Sequence, residues 1–239
     1  MTSFLVLGFV IGMSHALEAD HLAAVGAMAA RERGGKRAMV MRGMAWGLGH
    51  TITLFALCTL VLMFGFALTA ERAAALEFGV GAMLVLLGAD VLRRMRRRRV
   101  HFHVHDHGDG RPHLHAHSHA GSDTDHARDP HHHAHPRGFS LRALGVGLIH
   151  GAAGSAALLA LAVAATGEPA MALAYVLMFG LGSIAGMGAL SFVAAWPLAG
   201  IERHTRRIYQ ALTLGAATVA IVIGGEIMWT TGALAWRAF

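Results

Sequence analysis

The chain has 239 residues, 55% hydrophobic and 14% charged, with a formal net charge of +6 and a mean hydropathy of +0.50. A typical soluble domain carries roughly 25% charged residues, so this composition excludes an ordinary soluble fold and points to long apolar segments in a membrane. The single cysteine, Cys58, excludes a disulfide framework and a cysteine-based zinc site.

Six segments are apolar over the roughly 20 residues a helix needs to cross a bilayer. They lie near 3–30, 39–68, 74–92, 141–165, 170–199 and 208–231. The first contains GMSHALEADHLAAV, Gly12 to Val25, which sets two imidazoles and two carboxylates inside an apolar run. It has no basic start and leads into those polar groups, not into a small-residue cleavage site, so it is read as a retained helix and not as a leader peptide. On an ideal helix, turning about 100° per residue, His15, Glu18 and His21 share one face. Asp20 then points about 100° away from His21. It joins the others through a local unwinding, or else it orients a ligand histidine from behind.

The second segment carries His50 and Thr51 in GLGHT, and the third carries Asp90 near its end. The fourth carries His150, the fifth Ser183 in GLGSI, and the sixth Glu226. Glycines at 8, 12, 43, 47, 147, 151, 182 and 186 recur at the spacing that lets helices approach closely.

The loops set the orientation. Arg31, Arg33, Lys36 and Arg37 fill the first, Arg93, Arg94 and Arg96 to Arg99 open the third, and Arg203, Arg206 and Arg207 fill the fifth. The second has Arg72 alone, and the fourth has no lysine or arginine. The positive-inside rule places the odd loops in the cytoplasm and both termini outside a cytoplasmic (inner) membrane. The arginines flank membrane helices, so a nucleic-acid partner is not expected; the bilayer itself is.

The chain also repeats. His15 pairs with His150, His50 with Ser183 and Asp90 with Glu226, at offsets of 135, 133 and 136 residues. A repeat of three helices, an odd number, comes back inverted across the membrane, a common plan for secondary transporters with a midplane site. The predicted fold is an all-α polytopic membrane protein of six transmembrane helices in two inverted three-helix repeats. Residues 1–92 form the first repeat, 93–140 a cytoplasmic His-rich loop expected to be disordered, and 141–239 the second repeat.

Imidazole nitrogens and carboxylate oxygens without thiolate suit divalent first-row metals such as nickel, cobalt and zinc. Calcium and magnesium prefer all-oxygen sites. Intramembrane ionisable groups usually face a cavity or a partner. His15, Glu18, Asp20, His21, His50 and His150 are therefore the candidate metal residues, with Ser183, Thr51, Asp90 and Glu226 as secondary path or supporting groups. The third loop holds 13 of the 18 histidines. Its candidate metal-binding residues are His101, His103, His105, His107, His113, His115, His117, His119, His131, His132, His133 and His135.

HALEADH, His15 to His21, resembles the HAxDADH signature of the nickel/cobalt transporter superfamily, with Glu18 where the family usually has Asp. LGHTI, Leu48 to Ile52, is similar to its second signature, LGHSTVV. GLIHGAAGSAALL in the fourth segment looks like the urease-associated permeases of that superfamily, and the His-rich third loop resembles its efflux members. The acidic third signature, LGFDTATE, is replaced here by HGAAGSAA, which leaves His150 in place of an acid. The resemblance implies that His15, Glu18, Asp20, His21 and His50 form the metal path of a Ni²⁺ and/or Co²⁺ permease, not of an enzyme.

No permanently bound cofactor is expected; Ni²⁺ or Co²⁺ is cargo. A cytoplasmic metallochaperone of urease or hydrogenase is the candidate protein partner. Uptake is favoured. Efflux for resistance and zinc transport are the alternatives, and a haem-binding membrane protein with His50 and His150 as axial ligands is a more remote one. No H-E-x-x-H or G-x-S-x-G stretch supports an intramembrane protease.

Overall fold

A computed structural model of the protein describes residues 2–31, 36–66, 68–97, 101–105, 113–117, 140–153, 168–201 and 206–238. Its helices are α1 (Thr2–His15), α2 (Ala19–Arg31), α3 (Lys36–Phe64), α4 (Ala70–Arg97), α5 (Leu141–His150), α6 (Pro169–Ile201) and α7 (Arg206–Ala235). Between α4 and α5, β1 (His101–His105) pairs with β2 (His113–His117), and a 3₁₀ turn, Trp236–Ala238, closes the described chain.

Among the described residues, four helices are long and apolar enough to cross a membrane: Arg37–Phe64, Ala70–Arg96, Pro169–Ala194 and Gln210–Ala238. The segment expected over 3–30 is broken in the middle, at the local unwinding that the sequence left open. Thr2–His15 and Ala19–Ala29 are separate helices bent by 53°, and together they form a fifth candidate span. The physical reason is a tight turn. The N–H of Leu17 bonds the carbonyl of Ser14 at 2.9 Å and that of Glu18 bonds His15 at 3.1 Å, after which the Glu18 carbonyl accepts from Leu22 to start α2. Of the segment expected at 141–165, only 140–153 is described, so a sixth span falls partly outside the described residues.

α5 ends as α1 does. The N–H of Ala152 bonds Ile149 at 3.3 Å and that of Ala153 bonds His150 at 3.2 Å, so both helices stop at a histidine with the same turn. Ser140 caps its start by accepting from the Ala143 N–H. At the other kind of terminus, Gly65 sits at φ +65°, the left-handed conformation that ends α3 without a side-chain clash.

Two packing groups result. α1, α3, α5 and α6 lie against one another, with α1 on α6 and α5 on α3. α2 and α4 lie on α7. Close approach at glycine makes both groups. A Cβ on Gly12 would meet the Phe179 backbone, and one on Gly147 would meet the Trp46 backbone. Likewise Gly182 abuts the Phe9 carbonyl and Gly49 the Leu144 carbonyl. In the second group, Gly88 abuts the Ala217 carbonyl and Gly224 the Gly81 carbonyl, so α4 and α7 run antiparallel.

A matched pair of alanines tests this packing. Gly147→Ala is expected to lower the thermal unfolding temperature of the detergent-solubilised protein, since overpacking costs about 1–3 kcal/mol. Gly145→Ala, with nothing within 4 Å of its Cβ, is expected to leave it unchanged or slightly raised. Equal melting temperatures for the two variants would mean that α5 does not seat on α3 through Gly147.

In the His-rich tract, the HxHxH alternation has the period of a strand. The register sets His101 opposite His117, His103 opposite His115 and His105 opposite His113. Six histidines thus occupy alternate, directly paired positions of a short ribbon, within the loop expected from sequence to be disordered. The remaining loop histidines, His107, His119, His131, His132, His133 and His135 among them, lie outside the described residues.

Candidate metal centre

The break between α1 and α2 builds the centre. It leaves His15 at the last position of α1 and puts Asp20 and His21 in the first turn of α2. There the carboxylate also suits the positive end of the helix dipole. His50 enters from the middle of α3 and His150 from the last position of α5. Ring centroids are 4.4 Å apart for His15 and His21, 4.2 Å for His21 and His150, 5.2 Å for His15 and His50, and 5.4 Å for His21 and His50. His21, His50 and His150 are each only 1% exposed.

The carboxylates sit behind the rings. Glu18 Oε1 is 2.6 Å from His15 Nδ1. Asp20 Oδ1 accepts from the backbone N–H of His21 and lies 2.8 Å from its Nδ1. Asp20 Oδ2 lies 3.0 Å from His150 Nε2. An ionised carboxylate can only accept, so the imidazole protons belong on those nitrogens. The opposite nitrogens then carry lone pairs, as in carboxylate–histidine–metal arrangements.

On His21 and His150 those opposite nitrogens are buried and unpartnered, and one ring nitrogen of His50 is too. His21 Nε2, His50 Nδ1 and His150 Nδ1 have no hydrogen-bond partner among the described residues. One ligand atom each from His15, His21 and His50 can be chosen within 4.8 Å of one another, and the same holds for Asp20, His21 and His150. Asp20 has both oxygens engaged by His21 and His150, so the three imidazoles could hold a cation without displacing it. Buried polar atoms without partners are rare, and a cation held among these rings could supply one.

The other expected residues fall elsewhere. Thr51 donates to the Gly47 carbonyl at 2.8 Å and the Gly180 carbonyl at 3.0 Å, and Ser183 donates to the Gly12 carbonyl at 3.1 Å. Both hydroxyls tie α3 and α6 into their packing group. Asp90 pairs with Arg93 at 3.0 Å and Arg94 at 2.9 Å near the end of α4. Glu226 is exposed on α7.

Two neighbours were not anticipated. Trp46 is fully buried, with its ring 5.3 Å from His21 and 5.6 Å from His150. Glu77 of α4 lines the cavity beside the centre together with His15, Glu18, Asp20, His21 and His150. Its only sequence signal is an acid standing inside an apolar segment.

Comparison with known proteins agrees with this chemistry. The family model described as high-affinity nickel-transport protein, NicO, matches residues 1–237. The urease accessory protein UreH of Bacillus sp. (strain TB-90) is 30% identical over 237 residues, covering 97% of this chain and 93% of that one. No solved structure matches. A histidine cluster in a bundle of membrane-length helices and a match over nearly the whole sequence lead to one conclusion: the chain belongs to the NicO family of high-affinity nickel-transport proteins, a family of transporters and not of enzymes.

Proposed function

We propose that the chain is a Ni²⁺ and/or Co²⁺ permease of the cytoplasmic membrane that works in the uptake direction, with both termini outside. The ion would bind the imidazoles of His15, His21 and His50, with His150 close by and Glu18 and Asp20 offsetting its charge. The observation that carries this reading is the set of buried, unpartnered ring nitrogens on His21, His50 and His150, with the one carboxylate of Asp20 behind the rings of His21 and His150. Imidazole donors favour nickel, cobalt and zinc over magnesium and calcium. The name of the Bacillus relative, a urease accessory protein, favours nickel and the inward direction.

An inverted repeat fits the contacts. Gly12 on Phe179 and Gly147 on Trp46 are the same contact displaced by the sequence offset, as are the matching turns after His15 and His150. The two packing groups each draw on both halves of the chain, and the clustered histidines come from both groups. Rocking of one group on the other about the 16–18 turn would expose the ion to each side in turn. The His-rich loop would hold metal on the cytoplasmic side, the paired histidines of β1 and β2 included, and pass it to a metallochaperone.

Radioactive nickel accumulation in cells tests the reading, comparing wild type, His15→Ala and empty vector. Accumulation above vector that His15→Ala abolishes is the expected result. Accumulation below vector, restored by the variant, would reverse the direction. No difference from vector would overturn nickel transport.

A further inference from the structure

Glu77 lies inside a membrane-length helix, where a carboxylate is costly unless it meets a partner or a water-lined cavity. It is half-buried, and it makes no hydrogen bond or ion pair to another described residue. What it does meet is a cavity of about 200 Å³ whose remaining polar lining is His15, Glu18, Asp20, His21 and His150. His21 is 1% exposed, and its Nε2 has no partner. The cavity therefore sets a carboxylate on α4 that has no partner among the described residues beside the side chains of His15, Glu18, Asp20, His21 and His150.

The cavity also has a direction. Glu77 follows the start of α4 by about 10 Å at 1.5 Å per residue, and Ile227, another lining residue, precedes the end of α7 by about 12 Å. α4 and α7 are antiparallel, because Gly81 meets Gly224 and Gly88 meets Ala217. The start of one and the end of the other thus share a side. It is the side opposite Arg93, Arg94 and Arg96 on α4, and opposite Arg206 and Arg207 on α7. By the positive-inside rule that side is extracytoplasmic.

We propose that Glu77 is the outer relay of the cation path, which with Glu18 receives the hydrated divalent ion before the imidazoles take it. Carboxylate oxygens hold a hydrated cation through its waters, and a pair of them raises its local concentration at a narrow mouth. Imidazole nitrogens then replace water deeper in. Val80 and Ile227 give the cavity apolar walls, and among the described lining residues the side-chain oxygen donors are Glu77, Glu18 and Asp20. The assignment rests on the nickel-transport reading and adds to it a residue, a path and a side.

Two measurements on the full chain test it. Glu77→Gln is expected to raise the KM for nickel uptake by about tenfold. Its maximal rate should be retained, and so should its equilibrium nickel affinity in detergent. Glu77→Asp should restore much of the loss. In a Cys58→Ser background, Glu77→Cys should react with a membrane-impermeant maleimide added outside intact cells, and nickel should slow that reaction. An unchanged KM in Glu77→Gln, labelling confined to inverted vesicles, or labelling indifferent to nickel would each overturn the relay while nickel binding by the wild type stands. A wild type that neither binds nor accumulates nickel would overturn the parent reading, and the relay with it.

Discussion

Replacing His21 with alanine should abolish nickel binding and transport. His21 belongs to both groups of converging donors, the one with His15 and His50 and the one with Asp20 and His150. It is also the ring nearest to most of its neighbours, 4.4 Å from His15 and 4.2 Å from His150 between centroids. Its removal takes one nitrogen from a three-imidazole cradle. It also leaves Asp20 Oδ1 with a backbone N–H alone. Loss of a supporting partner typically weakens metal sites 10–100-fold, so loss of a ligand should weaken this one by at least about 100-fold. Co²⁺ is the useful probe, because its visible absorption reports the donor set directly. The solubilised wild type should take up cobalt with an intense band, and His21→Ala should not. The variant must melt near the wild type for the comparison to hold, and its loss should be shared by His50→Ala. Nickel affinity within about threefold of wild type in a folded His21→Ala protein would remove the imidazole cluster as the site.

Much of this centre was legible as chemistry before it was legible as geometry. Two imidazoles and two acids in an apolar run have no good packing explanation, and the offsets that pair His15 with His150 pick out two residues that each end a helix. What hydropathy does not register is the turn between them. Ser14 to Glu18 contains neither proline nor glycine, so an apolar window reads straight through a 53° bend. That bend decides the role of Asp20. On a straight helix it faces away from His21, whereas at the head of α2 it reaches back to that ring and across to His150. Thr51 and Ser183 stand at the expected depth, but each hydroxyl is taken by carbonyls of its own packing group. Asp90 was readable from spacing, since arginines three and four residues on are its natural helix-face partners. Glu77 was passed over because it has no histidine beside it in sequence. Only the packing of α4 near α2 brings it to the cavity.

Asp20→Asn should separate orientation from ligation. The asparagine keeps the shape but offers one acceptor oxygen and one donor NH₂ where the carboxylate offered two acceptors. One of His21 and His150 can keep its proton on the nitrogen that now faces Asp20. The other would meet a donor with a donor, and must move its proton to the far nitrogen. For His150 that far atom is Nδ1, and for His21 it is Nε2, both buried and unpartnered in the wild type. Either shift removes a lone pair from the centre. Nickel affinity should therefore fall about 10–100-fold, the range seen when an outer partner of a ligating histidine is lost, and by less than in His21→Ala. Nitrogen NMR of histidine-labelled protein should report the tautomer change without metal present, a readout that a loss of packing alone would not give. Asp20→Ala frees both rings and should fall further, toward the His21→Ala level. If Asp20→Asn instead binds nickel as tightly as wild type with unchanged histidine tautomers, the carboxylate does not set the rings. If Asp20→Asn matches His21→Ala while the tautomers stay put, Asp20 is itself a ligand, and the ion sits between Asp20, His21 and His150 instead of among the three imidazoles.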